Sequence, residues 1–220
     1  MSFFSNALLT ALLTLYFASM GQAATVKDVF NGDLLGTNQR YFESVAGIPR
    51  ESLGDEHNFR IQGCNITATI GGGKVSALRM ELTDKCEADL STFIGTYAPP
   101  VNRILTADIF IGSYGGPLNY SADCLSMCGN SYDPSVYASW QGPRAAGFME
   151  VILEVELADD NAINASNIWE EHMTAAMGED YVINTRFNCD RRFDPVANQA
   201  FKDIKITAIT VGHGLKTPSC

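Results

Sequence analysis

Six cysteines that all follow an apolar amino-terminal segment constrain this chain more than any other feature. The apolar run spans residues 7–18, and the small residues Gly21 and Ala23 fit a cleavage site between Ala23 and Ala24. The run is short for a membrane-spanning helix, so we predict that residues 1–23 are a cleaved signal peptide. An uncleaved anchor is the alternative, because no Lys or Arg precedes the run. We expect the mature protein to be periplasmic or secreted, with no membrane span after signal removal.

The cysteines predict disulfide bonds. They are Cys64, Cys86, Cys124, Cys128, Cys189 and Cys220. An even number of cysteines in an oxidising compartment favours disulfides over free thiols. We expect the pair Cys64–Cys86, which requires the chain after Leu82 to fold back over the preceding hairpin. A metal site at Cys124 and Cys128 is the alternative, but no second ligand pair completes it, so we predict neither a metal nor a cofactor.

Charge and composition exclude two classes of partner. The chain has 220 residues, of which 15 are Lys or Arg and 25 are Asp or Glu, so its net charge is −10. An acidic chain without a basic block disfavours nucleic acid and anionic membrane surfaces as partners. The hydrophobic fraction of 46% is typical of a globular fold rather than of disorder. The length allows one domain, or two small domains that share a sheet.

The first part of the chain has the pattern of a helix followed by a hairpin. Thr37 or Asn38 can cap a helix that ends near Ala46, where Gly47 supplies the left-handed terminal position. Alternating side chains predict a strand over 59–70, and a glycine turn leads to a return strand over 75–82. A short helix with a capping box over 84–87 is predicted next.

The same order of elements is predicted twice more. The predicted elements are helices over 121–128 and 166–177 and strands over 104–111, 136–141, 148–157, 181–188 and 204–212. Glutamates in the strand over 148–157 are expected on a solvated face. The pattern predicts the α+β class, an antiparallel sheet packed by short helices, and leaves open whether the helix-strand-strand units are true repeats. We expect a first α+β unit over 24–98 and a larger second unit over 99–220.

One segment resembles two known families. Phe30-Asn31-Gly32-Asp33-Leu34-Leu35-Gly36-Thr37 is followed by Tyr41, Val45, Gly47 and Pro49. This stretch is similar to the repeat opening of secreted β-lactamase-inhibitor-like proteins and of small outer-membrane-assembly lipoproteins. In those families a Gly-Thr precedes a short helix that ends in Gly-x-Pro before antiparallel strands. The resemblance implies an α+β layer with a protein-binding surface, and it carries over no catalytic residue.

The sequence contains none of the common catalytic motifs. There is no Gly-x-Ser-x-Gly, His-Glu-x-x-His or phosphate-binding glycine loop. The three histidines are His57, His172 and His213, and His213 is the best candidate for a catalytic group because its flanking glycines leave it accessible. We therefore predict no catalytic residue. A secreted hydrolase or carbohydrate-active enzyme with an unrecognised site is the alternative, and a self-associating structural component of the envelope is a third.

Two segments are candidates for a binding surface. Residues 113–120 are rich in Tyr, Gly, Ser and Asn, and more aromatic residues follow, a composition that gives a large contact area at low entropy cost. The second is a basic and aromatic triplet in a loop predicted over 189–199. The candidate binding residues are Tyr114, Tyr120, Tyr132, Tyr137, Trp140, Arg191, Arg192 and Phe193. The alternatives are aromatic rings that face the core and a solvated connector. We predict an exported, disulfide-stabilised protein that binds another protein, as an inhibitor or envelope accessory.

Overall fold

The computed structural model describes residues 23–101, 118–129, 134–142 and 149–220. Most of the predicted signal peptide, the predicted strand over 104–111, Tyr114 and Tyr132 lie outside the described residues. The α-helices are α1 Val26–Val29, α2 Gln39–Ala46, α3 Ser91–Ile94, α4 Asp160–Met177, α5 Glu179–Ile183 and α6 Asp194–Phe201. Short 3-10 helices lie at Gly32–Leu34, Gly95–Tyr97, Arg186–Cys189 and Arg191–Phe193.

In the described parts of the chain, eight strands form one antiparallel sheet. They are β1 Glu51–Leu53, β2 Glu56–Ile61, β3 Cys64–Gly71, β4 Lys74–Glu81, β5 Asn119–Ala122, β6 Ser135–Gln141, β7 Glu150–Glu156 and β8 Ala208–Gly212. Their order is β1-β2-β3-β4-β8-β7-β6-β5, and every neighbouring pair is antiparallel. The α+β prediction is therefore confirmed. Strands from both predicted units pair in this sheet, and the boundary near residue 98 stays a prediction.

The two faces of the sheet have different environments, as the period of two in a strand requires. Along β3, Ile66 and Ala68 are fully buried, whereas Thr67 and Thr69 between them are partly exposed. We call the buried side, where the helices pack, the covered face, and the other side the open face. Aromatic rings from the helices fill the core below the covered face, and Trp169 of α4 contacts Tyr120 of β5 edge-on.

Helix α4 begins at Asp160 rather than near residue 166, because Asp159 caps it by accepting the N–H groups of Asn161 and Ala162. Its buried stripe is Ala162, Ala165, Ser166, Trp169 and Met173. The helical pattern over residues 166–177 also predicts Ile168, His172, Ala176 and Met177 on the buried side, but these four are exposed. That part of the prediction is wrong because the buried face is a narrower stripe, at i, i+3, i+4 and i+7 spacing from Ala162, which does not include them.

Other predicted elements also differ from the structure. The strand over 59–70 is two strands, β2 and β3, because Gln62 and Gly63 adopt positive φ angles and reverse the chain. The helix over 121–128 is absent, because residues up to Ala122 pair with β6 as β5. The strand over 181–188 is instead α5 and a 3-10 turn, whose buried side chains include Val182 and Phe187.

The loop predicted over 189–199 is largely helical. It contains the 3-10 turn Arg191–Phe193 and the start of α6, whose first turn holds a proline, Pro195. Neither the second nor the third predicted unit has the expected order of elements in its described residues, and in the first unit α2 is followed by four strands rather than two.

Three disulfides connect the six cysteines. The expected Cys64–Cys86 bond is confirmed, and the others are Cys124–Cys128 and Cys189–Cys220. The fold-back that allows the first bond is a tight turn in which Thr83 and Cys86 exchange backbone hydrogen bonds of 3.2 and 3.1 Å. The capping-box helix expected at that position is therefore not formed, and α3 begins only at Ser91. Among the described residues, no helix is both long and apolar enough to cross a bilayer.

Candidate functional site

The carboxyl-terminal segment of the described chain lies across the open face of the sheet. We call residues 213–220 the strap. The strap leaves β8 after Gly212. At Gly212, β8 and β4 approach so closely that a Cβ on this residue would clash with the Ser76 carbonyl. The Leu215 N–H then donates a 2.6 Å hydrogen bond to the Glu150 carboxylate on β7. At its far end Cys220 is bonded to Cys189, so the strap is fixed at both ends.

The Cys189 end of the strap is anchored at the β5 side of the sheet. The side chain of Asn188 accepts the N–H of Ala122 at 2.9 Å and donates to the carbonyl of Ala122 at 3.0 Å. This pair of bonds joins the Arg186–Cys189 turn to the backbone of β5. The strap therefore spans β7, β6 and β5, and it divides the open face into two recesses.

The larger recess, which we call the sheet groove, has a volume of about 600 Å³. Its charged and aromatic lining consists of Asp55, Glu56, Arg79, Tyr137, Glu154, His213 and Lys216. These residues come from β2, β4, β6, β7 and the strap, together with the turn before β2. Because the strands are hydrogen-bonded side by side, the sheet fixes the backbone positions from which Arg79, Tyr137 and Glu154 enter the groove.

An ion pair between β4 and β7, the two strands on either side of β8, lies in the sheet groove. Arg79 donates to the Oε2 atom of Glu154 through Nε at 3.0 Å and Nη2 at 2.9 Å. Ser135 donates its hydroxyl to the other carboxylate oxygen at 3.1 Å. The Glu154 side chain is only 16% exposed. A carboxylate so buried needs these charge-assisted bonds, because it has lost most of its contact with water.

Tyr137 continues this polar network towards the next strand. Its hydroxyl donates to Oδ2 of Asp123 at 3.0 Å, and the N–H of Ser135 donates to the same oxygen at 3.2 Å. Burial raises the pKa of Tyr137, and the nearby charges of Asp123 and Glu154 raise it further. The phenol therefore remains a neutral hydrogen-bond donor throughout the physiological pH range.

The smaller recess, which we call the chamber, lies beneath the strap and has a volume of about 210 Å³. Its polar lining is Asn119, Ser121, Ser139, Gln141, Glu150, Arg191 and Thr217. The buried hydroxyls of Ser121 and Ser139 have no hydrogen-bond partner among the described residues. These two hydroxyls therefore face the chamber as polar groups that a ligand or solvent molecule in it can bind.

Arg191 stabilises the wall of the chamber. It donates to the carbonyls of Tyr120 at 2.8 Å, Phe187 at 3.0 Å and Asn188 at 2.6 Å, and its Nη1 lies 3.6 Å from Oδ1 of Asp194. Burial raises the pKa of Asp194 to about 6, although the Arg191 charge and the N–H of Tyr120 act in the opposite direction. The three carbonyls show that Arg191 joins β5 to the adjacent 3-10 turn.

The structure separates the described candidate binding residues. Tyr137 lines the sheet groove and Arg191 lines the chamber, so these two lie on the open face. Arg192 is an exposed residue that pairs with Asp190 at 2.7 Å, and its guanidinium carbon lies 5.8 Å from the ring centroid of Phe193. It lines neither recess.

Three of the predicted aromatic residues face the core. Tyr120 is 0%, Trp140 1% and Phe193 6% exposed. The hydroxyl of Tyr120 donates to Asn198 at 3.1 Å, and the ring of Phe193 packs 5.8 Å from that of Tyr181. These three side chains therefore do not form the binding surface expected from the composition. Instead, their rings face the core, which is the alternative given in the sequence analysis.

Sequence reasoning missed the most ordered polar groups of the site, Arg79 and Glu154. The alternation within each strand predicts a solvated side chain for both Arg79 and Glu154, which gives no reason to connect them. The available signal was a charged residue in the middle of an alternating strand. The order of the strands, which brings the two residues together, could not be predicted from the sequence. The two become neighbours through β8, which pairs with both β4 and β7.

Comparisons with known proteins do not assign this chain to a family. No family model matches it, and neither a curated protein nor a solved structure shows a significant match.

Proposed function

We propose that the protein is an exported, disulfide-stabilised binding protein that recognises another protein through the open face of its sheet. The observation that carries this proposal is the sheet groove, a recess of about 600 Å³ that the strap borders and in which hydrogen bonds order Arg79, Glu154 and Tyr137. Groups that are already ordered lose little conformational entropy on binding, which favours recognition. Three disulfides fit a chain that works in an oxidising compartment.

The charges of the sheet groove suit a polar segment of a partner protein. Asp55, Glu56 and Lys216 are exposed at its margin, and Arg79 is partly exposed inside it. Charges of both signs at fixed positions select a partner by complementarity and reject segments whose like charges would face them. The resemblance of residues 30–49 to secreted inhibitor-like and envelope-assembly proteins supports the same kind of function.

The test is to isolate a partner from the native envelope or medium and to measure its affinity for matched charge-reversal variants. Asp55→Lys together with Lys216→Glu changes the margin of the sheet groove. The control, Lys202→Glu together with Asp203→Lys, changes two exposed residues just after α6. We expect the groove variant to bind about tenfold more weakly, a change of about 1.4 kcal/mol, and the control to bind normally. Equal affinity for both variants would contradict the proposal.

A hydrolase is a second candidate, because His213 lines the sheet groove together with Glu154 and the hydroxyl-bearing residues Ser76 and Tyr137. An imidazole beside an acid and hydroxyls is the group of residues that acid–base catalysis uses. The test is turnover of a panel of esters and glycosides by the protein and by a His213→Asn variant. Turnover that the variant loses would favour the hydrolase, and identical rates would exclude a role for His213.

A further inference from the structure

A third recess lies outside the candidate site, between α4, α5 and the loop closed by Cys124–Cys128. We call it the helix groove; its volume is about 500 Å³. Its apolar side is formed by Met127 of the loop and by Val182 and Ile183 of α5. The proposed binding by the sheet groove does not use this region.

Met127 is held in an exposed position by the local backbone. Its side chain is 82% exposed, and Ile183 across the groove is 37% exposed. Met127 has a φ angle of +55°, which is uncommon for a residue other than glycine, and it lies within the small ring closed by the Cys124–Cys128 disulfide. The loop therefore presents an apolar side chain to solvent at a cost in backbone strain. Methionine is well suited to contact a partner because its long side chain adapts to different shapes.

Three carboxylates border this apolar surface. They belong to Glu170 and Glu171 of α4 and Glu179 of α5. None of the three has an ion-pair partner among the described residues, and no Lys or Arg is part of the described lining. The helix groove therefore combines an apolar floor with an uncompensated negative rim. That combination repels anionic lipid and nucleic acid and attracts basic groups.

We propose that the helix groove docks a segment of a partner protein in which Lys or Arg residues flank an apolar side chain. The apolar side chain packs against Met127, Val182 and Ile183, and the basic groups pair with the rim carboxylates. Charge complementarity speeds the encounter and selects the partner, and the apolar contact slows dissociation. This docking does not depend on the sheet groove, so the two proposals can fail separately.

The test measures binding of short synthetic peptides to the intact, oxidised protein by fluorescence anisotropy. The probe peptide carries Lys and Leu in an amphipathic pattern. One control peptide replaces each Leu by Ser, and another replaces each Lys by Glu. We expect only the Lys/Leu peptide to bind, with an affinity that falls as salt is raised. No binding of this peptide, or equal binding of the Lys/Ser peptide, would overturn the proposal.

Two variants locate the peptide on the surface. The triple change Glu170→Gln, Glu171→Gln and Glu179→Gln removes the rim charges, and Met127→Gln removes the apolar contact. A matched triple change of exposed glutamates elsewhere, Glu51→Gln, Glu87→Gln and Glu156→Gln, alters the net charge equally. We expect the dissociation constant to rise about tenfold in each groove variant and much less in the matched control. An equal rise in both triple variants would show nonspecific charge attraction and would overturn the proposal.

Discussion

The two faces of the sheet are built by the same strands but are stabilised in different ways. On the covered face, Leu153 and Ile66 pack into a core that helices complete. On the open face, Glu154 is satisfied by an arginine from two strands away, and the strap is held by a covalent bond. Hydrophobic burial therefore stabilises the covered face, whereas hydrogen bonds, an ion pair and a disulfide stabilise the open face. From this difference we expect a loss of apolar volume to cost more stability on the covered face than on the open face.

The largest expected effect contrasts neighbouring residues on opposite faces of β7. Leu153 is 0% exposed on the covered face, and Ile152 borders both recesses on the open face. Leu153→Ala should lower the free energy of unfolding by about 3–4 kcal/mol, because it leaves a cavity in the core. Ile152→Ala should lower it by about 1–2 kcal/mol, since the recesses already border that side chain. Urea denaturation measures both values, and a larger loss for Ile152→Ala would break the contrast between the faces.

The second prediction concerns the covalent closure of the open face. The bond Cys189–Cys220 closes a loop with a separation of 31 residues, and Cys124–Cys128 one of only 4. Replacing Cys189 and Cys220 by Ser should lower the free energy of unfolding by about 3 kcal/mol, through the entropy of the unfolded chain. It should also speed amide exchange at Leu215, whose N–H is bound to Glu150. The matched double Ser variant of Cys124 and Cys128 should lose less stability and leave that exchange unchanged.

The smallest effect concerns a carboxyl group at the margin of the covered face. Burial raises the pKa of Asp194 in the folded protein to about 6, above its ordinary value of 3.8. The folded state therefore binds this proton more tightly than the unfolded state, and stability falls as pH rises from about 4 to about 6. Asp194→Asn should abolish this part of the pH profile and raise the free energy of unfolding by about 1 kcal/mol at neutral pH. Thermal unfolding measures the stability of both proteins as a function of pH. If stability changes with pH in the same way in the wild-type protein and in the Asp194→Asn variant, the assignment is wrong.

The sequence predicted well what depends on local alternation and on glycine. The α+β class, helix α2 and strands β3, β4, β6 and β7 could be predicted because each has a short-range signal. The bond between Cys64 and Cys86 could be predicted from the hairpin and the fold-back that brings the two cysteines together. The split between β2 and β3 was missed because Gln62 interrupts an apolar pattern only briefly. The helical nature of residues 181–188 was missed because their apolar residues fit either a strand or a buried helix turn.

The site was harder to predict than the fold. Tyr137 and Arg191 were predicted as binding residues because of their residue type. They lie on the open face because of strand register and backbone contacts, which no local sequence pattern shows. Tyr120 and Trp140 have the composition of a binding surface, but their positions in β5 and β6 turn them towards the core. The groove itself depends on the order of the strands and on the path of the strap, which are long-range properties.

The position of β8 has a consequence for how the protein reaches its folded state. This strand follows the other seven in the chain, yet it lies between β4 and β7 at the centre of the sheet. Until β8 inserts, two half-sheets expose the edges of β4 and β7, each with unpaired backbone groups that can pair with another chain. The long loop that must close before insertion predicts slow folding and makes the newly synthesised chain prone to aggregation. Chaperone protection should matter most during this interval, before the two halves are joined.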